Sequence, residues 1–156
     1  MKIQTKVRTC LWFNGKGREA AEFYVSLLPD SHLDRTFDSP DEDPLTVEFT
    51  LAGAPMMILN GGPMFEPDEA ASIRVMTQNQ EETDELWEKL IADGGQPQRC
   101  AWLKDKFGVS WQIVPVRLGE LLSHDDTEAA GRSRDAMLNM QKIDIAGLEA
   151  AFKGER

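Results

Sequence analysis

A chain of 156 residues, 41% of them apolar, can bury one packed core or two small halves sharing one. Its net charge of −10, from 27 acidic and 17 basic residues, repels a phosphate backbone and argues against nucleic acid as a partner. No run is long enough to span a membrane, and the start, Met1-Lys2-Ile3-Gln4, lacks an apolar signal region, so a cytoplasmic protein without membrane partners is expected.

In chain order, Thr5–Phe13 reads as a first strand and Asn14-Gly15-Lys16-Gly17 as a turn. Arg18–Leu28 then carries a helical stripe of Ala20, Phe23, Tyr24, Leu27 and Leu28, stopped by Pro29-Asp30-Ser31. His32–Phe37 is a short strand and Asp38–Pro44 an acidic loop. Leu45–Leu51 alternates, with Leu45, Val47, Phe49 and Leu51 on one face and Thr46, Glu48 and Thr50 on the other. Gly53 turns the chain into a fourth strand, Met56–Asn60.

Gly61–Ala70 reads as a glycine- and proline-rich linker, and Ser72–Thr77 as the next strand. Asn79 and Glu82 form a capping-box pattern for a helix running to Ala92 and ending at Gly94-Gly95. Trp102–Pro115 reads as a hairpin around Lys104–Gly108, its second strand central and closed by Pro115. A shift of 63 residues carries Phe23, Tyr24, Leu27 and Leu28 onto Leu86, Trp87, Leu90 and Ile91, Asp30 onto Asp93 and Thr9 onto Ser72. The chain therefore reads as two copies of β-α-β-β-β. The tail holds a short apolar turn, Leu118–Leu122, then a helix capped by Asp125 or Asp126 and running to Met140. A last helix is capped by Asp144, with Ile143 and Leu148 at staple positions. These two amphipathic helices need a sheet face or a neighbouring subunit to cover.

Cys10 and Cys100 both fall in expected strands and read as buried hydrophobes, with a disulfide or redox pair as the alternative. Two histidines and two cysteines at no ligand spacing do not make a structural zinc site. Gly15-Lys16-Gly17-Arg18-Glu19-Ala20 fits G-x-G-x-x-A between a strand and a helix. The unit continues as a hairpin rather than as β-α-β-α, so the glycines read as turn residues and not as a nucleotide cradle.

WLKDKFGVSWQIVP, DELWEKL, LNGGP and MLNMQKIDIAGLEAAF closely resemble the PhnB-like family of the vicinal oxygen chelate superfamily, many of whose members carry a 3-demethylubiquinone-9 3-methyltransferase label. The resemblance covers nearly the whole chain. It implies an α+β fold of two βαβββ modules forming curled mixed sheets; the residue reading bounds them at 1–60 and 71–116, with a linker (61–70) and a C-terminal helical appendage (117–156). It also implies a homodimer. Superfamily enzymes hold a divalent metal in the sheet cup through His, Glu or Gln, early in the first strand and in the last strand of each module. Those positions fall here near Thr9, Met57 or Leu59, Ser72 and Gln112, of which only Gln112 is a convincing ligand, so no metal or other cofactor is expected.

Alternation places Leu11 and Phe13 with Thr9, Arg74 with Ser72, and Ser110 with Gln112, while Trp111 and Ile113 face the helices. The expected cup is apolar, with Thr9, Glu48, Ser72, Arg74 and Gln112 as ligand-binding groups for a small molecule and Glu48 as the candidate acid or base. Glu48 and Arg74 have a second reading, as a plain ion pair or a solvated edge, and Gln112 as a partner for a neighbouring strand. Two further functions stay open: an acid/base or metal-assisted enzyme, and the methyltransferase of the family label, for which no stretch offers a methyl-donor site.

Overall fold

The computed structural model describes residues 2–37 and 43–155; residues 38–42 of the expected acidic loop lie outside them. The chain divides into two compact units, Met1–Pro67 and Asp68–Arg156, each built on one four-stranded sheet.

In the first unit β1 (Thr9–Phe13) is followed by α1 (Gly17–Leu27), β2 (His32–Phe37), β3 (Thr46–Leu51) and β4 (Ala54–Asn60). The second repeats the order with β5 (Ser72–Thr77), α2 (Gln80–Ile91), β6 (Gln96–Pro97), β7 (Trp102–Lys104) and β8 (Ser110–Pro115). The sheets run β1-β4-β3-β2 and β5-β8-β7-β6, with the first and last strand of each module parallel and the other pairs antiparallel. The duplication expected from the 63-residue shift is thus present in topology. It extends to the backbone: Asp30 and Asp93 both follow their helices at left-handed φ, 56° and 58°, which aspartate tolerates better than most residues.

Each helix covers one face of its sheet. Val47, Phe49, Ile58 and Tyr24 form the core of the first unit; Ile113, Trp111, Leu103 and Leu90 that of the second, all with no exposed surface. The buried hydroxyls of Thr77 and Thr83 bond each other at 2.7 Å and tie β5 to α2. The expected hairpin is β7–β8, and its turn is built around Asp105. That carboxylate accepts from the Phe107 and Val109 amides at 2.8 and 3.0 Å and from Trp111 Nε1 at 2.9 Å.

The tail forms α3 (Val116–Leu122), α4 (Thr127–Met137) and α5 (Ile145–Phe152). It packs on its own unit: Ile143 and Leu148 share a buried cluster with Ala101, Val114, Leu118 and Leu121. Asp126 caps α4 by accepting from the Ala129 amide. Asp144 precedes α5 without a side-chain cap; Gln80 Oε1 accepts from the Ile145 amide instead, at 2.8 Å.

Leu118–Leu122, expected as a turn, lies in helix α3, and other expectations about bounds and burial need correction. β1 begins at Thr9 rather than Thr5. Leu45 lies outside β3 and is 52% exposed. The helix expected to reach Met140 ends at Met137. Cys10 is exposed and Cys100 half-buried in a turn at φ 58°, and both are free thiols, so neither is a buried strand hydrophobe.

Candidate functional site

The strand register fixes which side chains share the face not covered by the helix. In the first sheet Glu48 pairs with Met57, and Met57 with Cys10. Partners across a ladder point the same way, so Cys10 and Trp12 join Glu48, Met57 and Leu59 on the open face. Thr9 and Leu11 pair instead with the helix-side Met56 and Ile58, and Phe13 with Asn60. The expected placement of Thr9, Leu11 and Phe13 in the cup is therefore reversed. The cause is one residue. Three residues separate β1 from α1 but only two separate β5 from α2, so a shift that aligns the helices misaligns the strands by one and flips every side chain. With strand ends matched, the counterpart of Ser72 is Arg8, and that of Gln112 is Met57.

Arg8, which sequence reasoning missed, centres the polar part of this face. Its Nη1 donates to Asp34 Oδ2 at 2.8 Å and to the carbonyls of Phe49 and Met56, while Nε lies 3.8 Å from Glu48 Oε2. Arg35 Nε approaches the same Glu48 oxygen at 3.5 Å. Asp34 reaches the open face through a β-bulge: the register against β3 slips between Leu33 and Arg35, which aims Asp34 and Arg35 to one side. There Thr50 Oγ1 donates to Asp34 at 2.9 Å and His32 Nε2 lies 2.9 Å away. Burial alone would raise the Asp34 carboxyl, but the bonds from Thr50 and Arg8, with the charges of Arg8 and His32, hold it below the ordinary aspartate range. Over this network opens a cleft of about 690 Å³, floored by Arg8, Asp34, Arg35, Glu48 and Met57 and walled by residues 2–6.

In the second unit the alternation expected from sequence holds. Ser72 pairs with Ser110 and Arg74 with Gln112, all on the open face, while Ile73 and Trp111 pair on the helix face. Gln112 Nε2 donates to Ser72 Oγ at 2.9 Å. Ser110 is fully buried and its hydroxyl has no partner among the described residues. Arg74 is exposed and paired with no carboxylate among them.

The metal implied by the resemblance can be tested against these donors. The matched positions hold a guanidinium and a thioether in one unit, Arg8 and Met57, and in the other a hydroxyl and an amide already bonded to each other. A fixed cation and three weak or engaged ligands do not suit zinc, iron or nickel. Among the described residues no three His, Cys, Asp or Glu side chains come together at ligating distance.

The G-x-G-x-x-A turn is used locally. Asp43 accepts from the amides of Gly17 and Arg18 at 3.2 and 3.3 Å, and Asn60 Oδ1 accepts from Gly17 at 3.1 Å. A Cβ on Gly17 would meet Asn60 and the Ile58 methyl within 2.8 Å, so glycine is there for close packing. The helix terminus that would hold a phosphate already holds a carboxylate.

Comparison with known proteins places these features. The model of a family described as 3-demethylubiquinone-9 3-methyltransferase matches residues 5–114. Among solved structures, the PhnB protein of Bacillus cereus is 30% identical, covers 71% of this chain and 99% of its own, and superposes with a TM-score of 0.62. Protein PA1353 of Pseudomonas aeruginosa is 23% identical over 72% of this chain and 98% of its own, with a TM-score of 0.59. The fosfomycin resistance protein FosX of Listeria monocytogenes shares the fold at 17% identity, 79% and 100% coverage and a TM-score of 0.55. No curated protein gives a significant match.

Proposed function

We propose that this chain, which belongs to the 3-demethylubiquinone-9 3-methyltransferase family of PhnB-like, vicinal-oxygen-chelate-fold proteins, binds a small molecule on the open face of its sheets without a metal. The observation that carries the reading is the cleft of about 690 Å³ over Arg8, Glu48 and Met57, a hollow of ligand size with a few converging polar groups. The donor chemistry at the matched strand positions supports the metal-free form. A thermal-shift screen of metabolites, run with and without divalent metals, tests it. Binding to the native state raises the melting temperature, so metabolite-dependent shifts indifferent to metal are expected. A large rise with metal alone contradicts the reading.

An enzyme using Glu48 as acid or base stands second, because both nearby guanidinium groups, on Arg8 and Arg35, already engage its carboxylate. The methyltransferase activity in the family's description finds little support in this chain: the one glycine-rich turn before a helix spends its amides on Asp43 and Asn60. Isothermal titration with S-adenosylmethionine decides that point, with no heat of binding expected. The reading includes a homodimer, supported by Leu33 and Phe37, which stand 39% and 42% exposed on the edge strand β2. Sedimentation equilibrium should return twice the mass of the chain.

A further inference from the structure

We propose that the cleft on the first sheet selects a small organic anion, its oxyanion group held by Lys2 and Lys6 above the Arg8 floor and its uncharged remainder lying on Met57. The inference rests on the small-molecule reading above and adds the charge of the ligand. A chain of net charge −10 repels anions over most of its surface. The cleft reverses that sign, with four cationic side chains lining it against two carboxylates. Both carboxylates are committed: Asp34 to Arg8, Thr50 and His32, and Glu48 to Arg35 and Arg8. A cationic ligand would have to break one of these pairs to gain another. Lys2 and Lys6 have no carboxylate partner among the described residues, so their charge is left for whatever enters. Arg8 is fixed by two backbone carbonyls as well as by Asp34, which holds its guanidinium in the floor rather than in solvent.

Three fragments of one shape and different charge give the test: benzoate, benzamide and benzamidine, titrated into the full chain and followed by backbone amide NMR. Benzoate is expected to move the resonances of Lys6, Arg8, Glu48 and Met57 and to lose affinity as salt is added. Benzamide should move them less and benzamidine least. The double variant Lys2→Glu/Lys6→Glu changes two exposed side chains, so the rest of its spectrum should stay in place. It should bind benzoate about fivefold more weakly, the scale of two partly solvated charge reversals. Benzamidine or benzamide acting at least as strongly as benzoate overturns the anion assignment and leaves small-molecule binding standing, as does an affinity untouched by the double variant. A cleft unmoved by all three fragments also overturns the anion assignment, while the small-molecule reading stands or falls on the metabolite screen.

Discussion

Asp105 shows how one side chain can hold a whole turn. It is 3% exposed, yet its carboxylate is stable there because it accepts from two backbone amides and the Trp111 indole. Asp105→Ala leaves the buried Val109 amide and Trp111 indole, and the half-buried Phe107 amide, without this acceptor and should cost about 2–4 kcal/mol, read from the midpoint of urea unfolding. A loss no larger than that of an ordinary surface substitution would mean the turn stands without it. Asp34 gives a residue-scale prediction of opposite kind, in pH. Its carboxyl is depressed in the folded chain by the bonds from Thr50 and Arg8, which outweigh the upward push of burial. A depressed carboxyl stabilises fully above its unfolded value of about 3.9, and the contribution is lost as pH falls through the lower folded value. The melting-temperature gap between the wild type and Asp34→Asn should therefore shrink on acidification below about pH 4. A gap that widens in acid contradicts the assignment.

At the scale of elements, Gln80 joins the tail to the second module. Its amide nitrogen donates to the Ile143 carbonyl at 2.9 Å while its carbonyl accepts from the Ile145 amide at 2.8 Å, doing for α5 what a cap does for other helices. Gln80→Ala should speed amide exchange through Ile145–Phe152 while leaving β8 protected, at a cost of about 1–3 kcal/mol for two unmet backbone groups. Exchange unchanged in α5 would show that packing alone seats it. This contact was not legible from sequence, because Gln80 lies 63 residues before Ile143 and nothing local marks the pair. What was legible came from period. Val47, Phe49 and Leu51 alternate with Thr46, Glu48 and Thr50, and the helix stripes repeat, so element order and the facing of β3, β5 and β8 follow from hydrophobic pattern. The facing of β1 did not follow, because a single extra turn residue inverts a strand without disturbing the helix after it. Arg8 was hidden by that slip. Asp34 was hidden by the bulge, since strict alternation would set it opposite Arg35 rather than beside it.

At the scale of the whole molecule, the question is whether the tail is an appendage or part of a fold unit. Ile143 and Leu148 have no exposed surface, and they cover Val114 at the end of the central strand β8 together with Leu118 and Leu121 of α3. Further bonds run the same way: the amides of Cys100 and Ala101 donate to the carbonyls of Met140 and Gln141, both at 2.9 Å, and Lys142 pairs with Asp84 of α2 at 3.0 Å. Burying two large aliphatic side chains contributes about 3–6 kcal/mol. That is a large fraction of the roughly 5–15 kcal/mol that holds a domain folded. Removing every residue after Ser123 strips these groups away and leaves Val114, Leu118 and Leu121 facing water as a continuous apolar patch. The truncated chain should therefore aggregate or lose the dispersed amide signals of β5 and β8. Single substitutions grade the same effect: Leu148→Ala should cost about 2–5 kcal/mol and Leu138→Ala, at a position 49% exposed, almost nothing. A truncated chain that stays monomeric with the second sheet's signals intact would show the tail to be a cover laid over a module already complete.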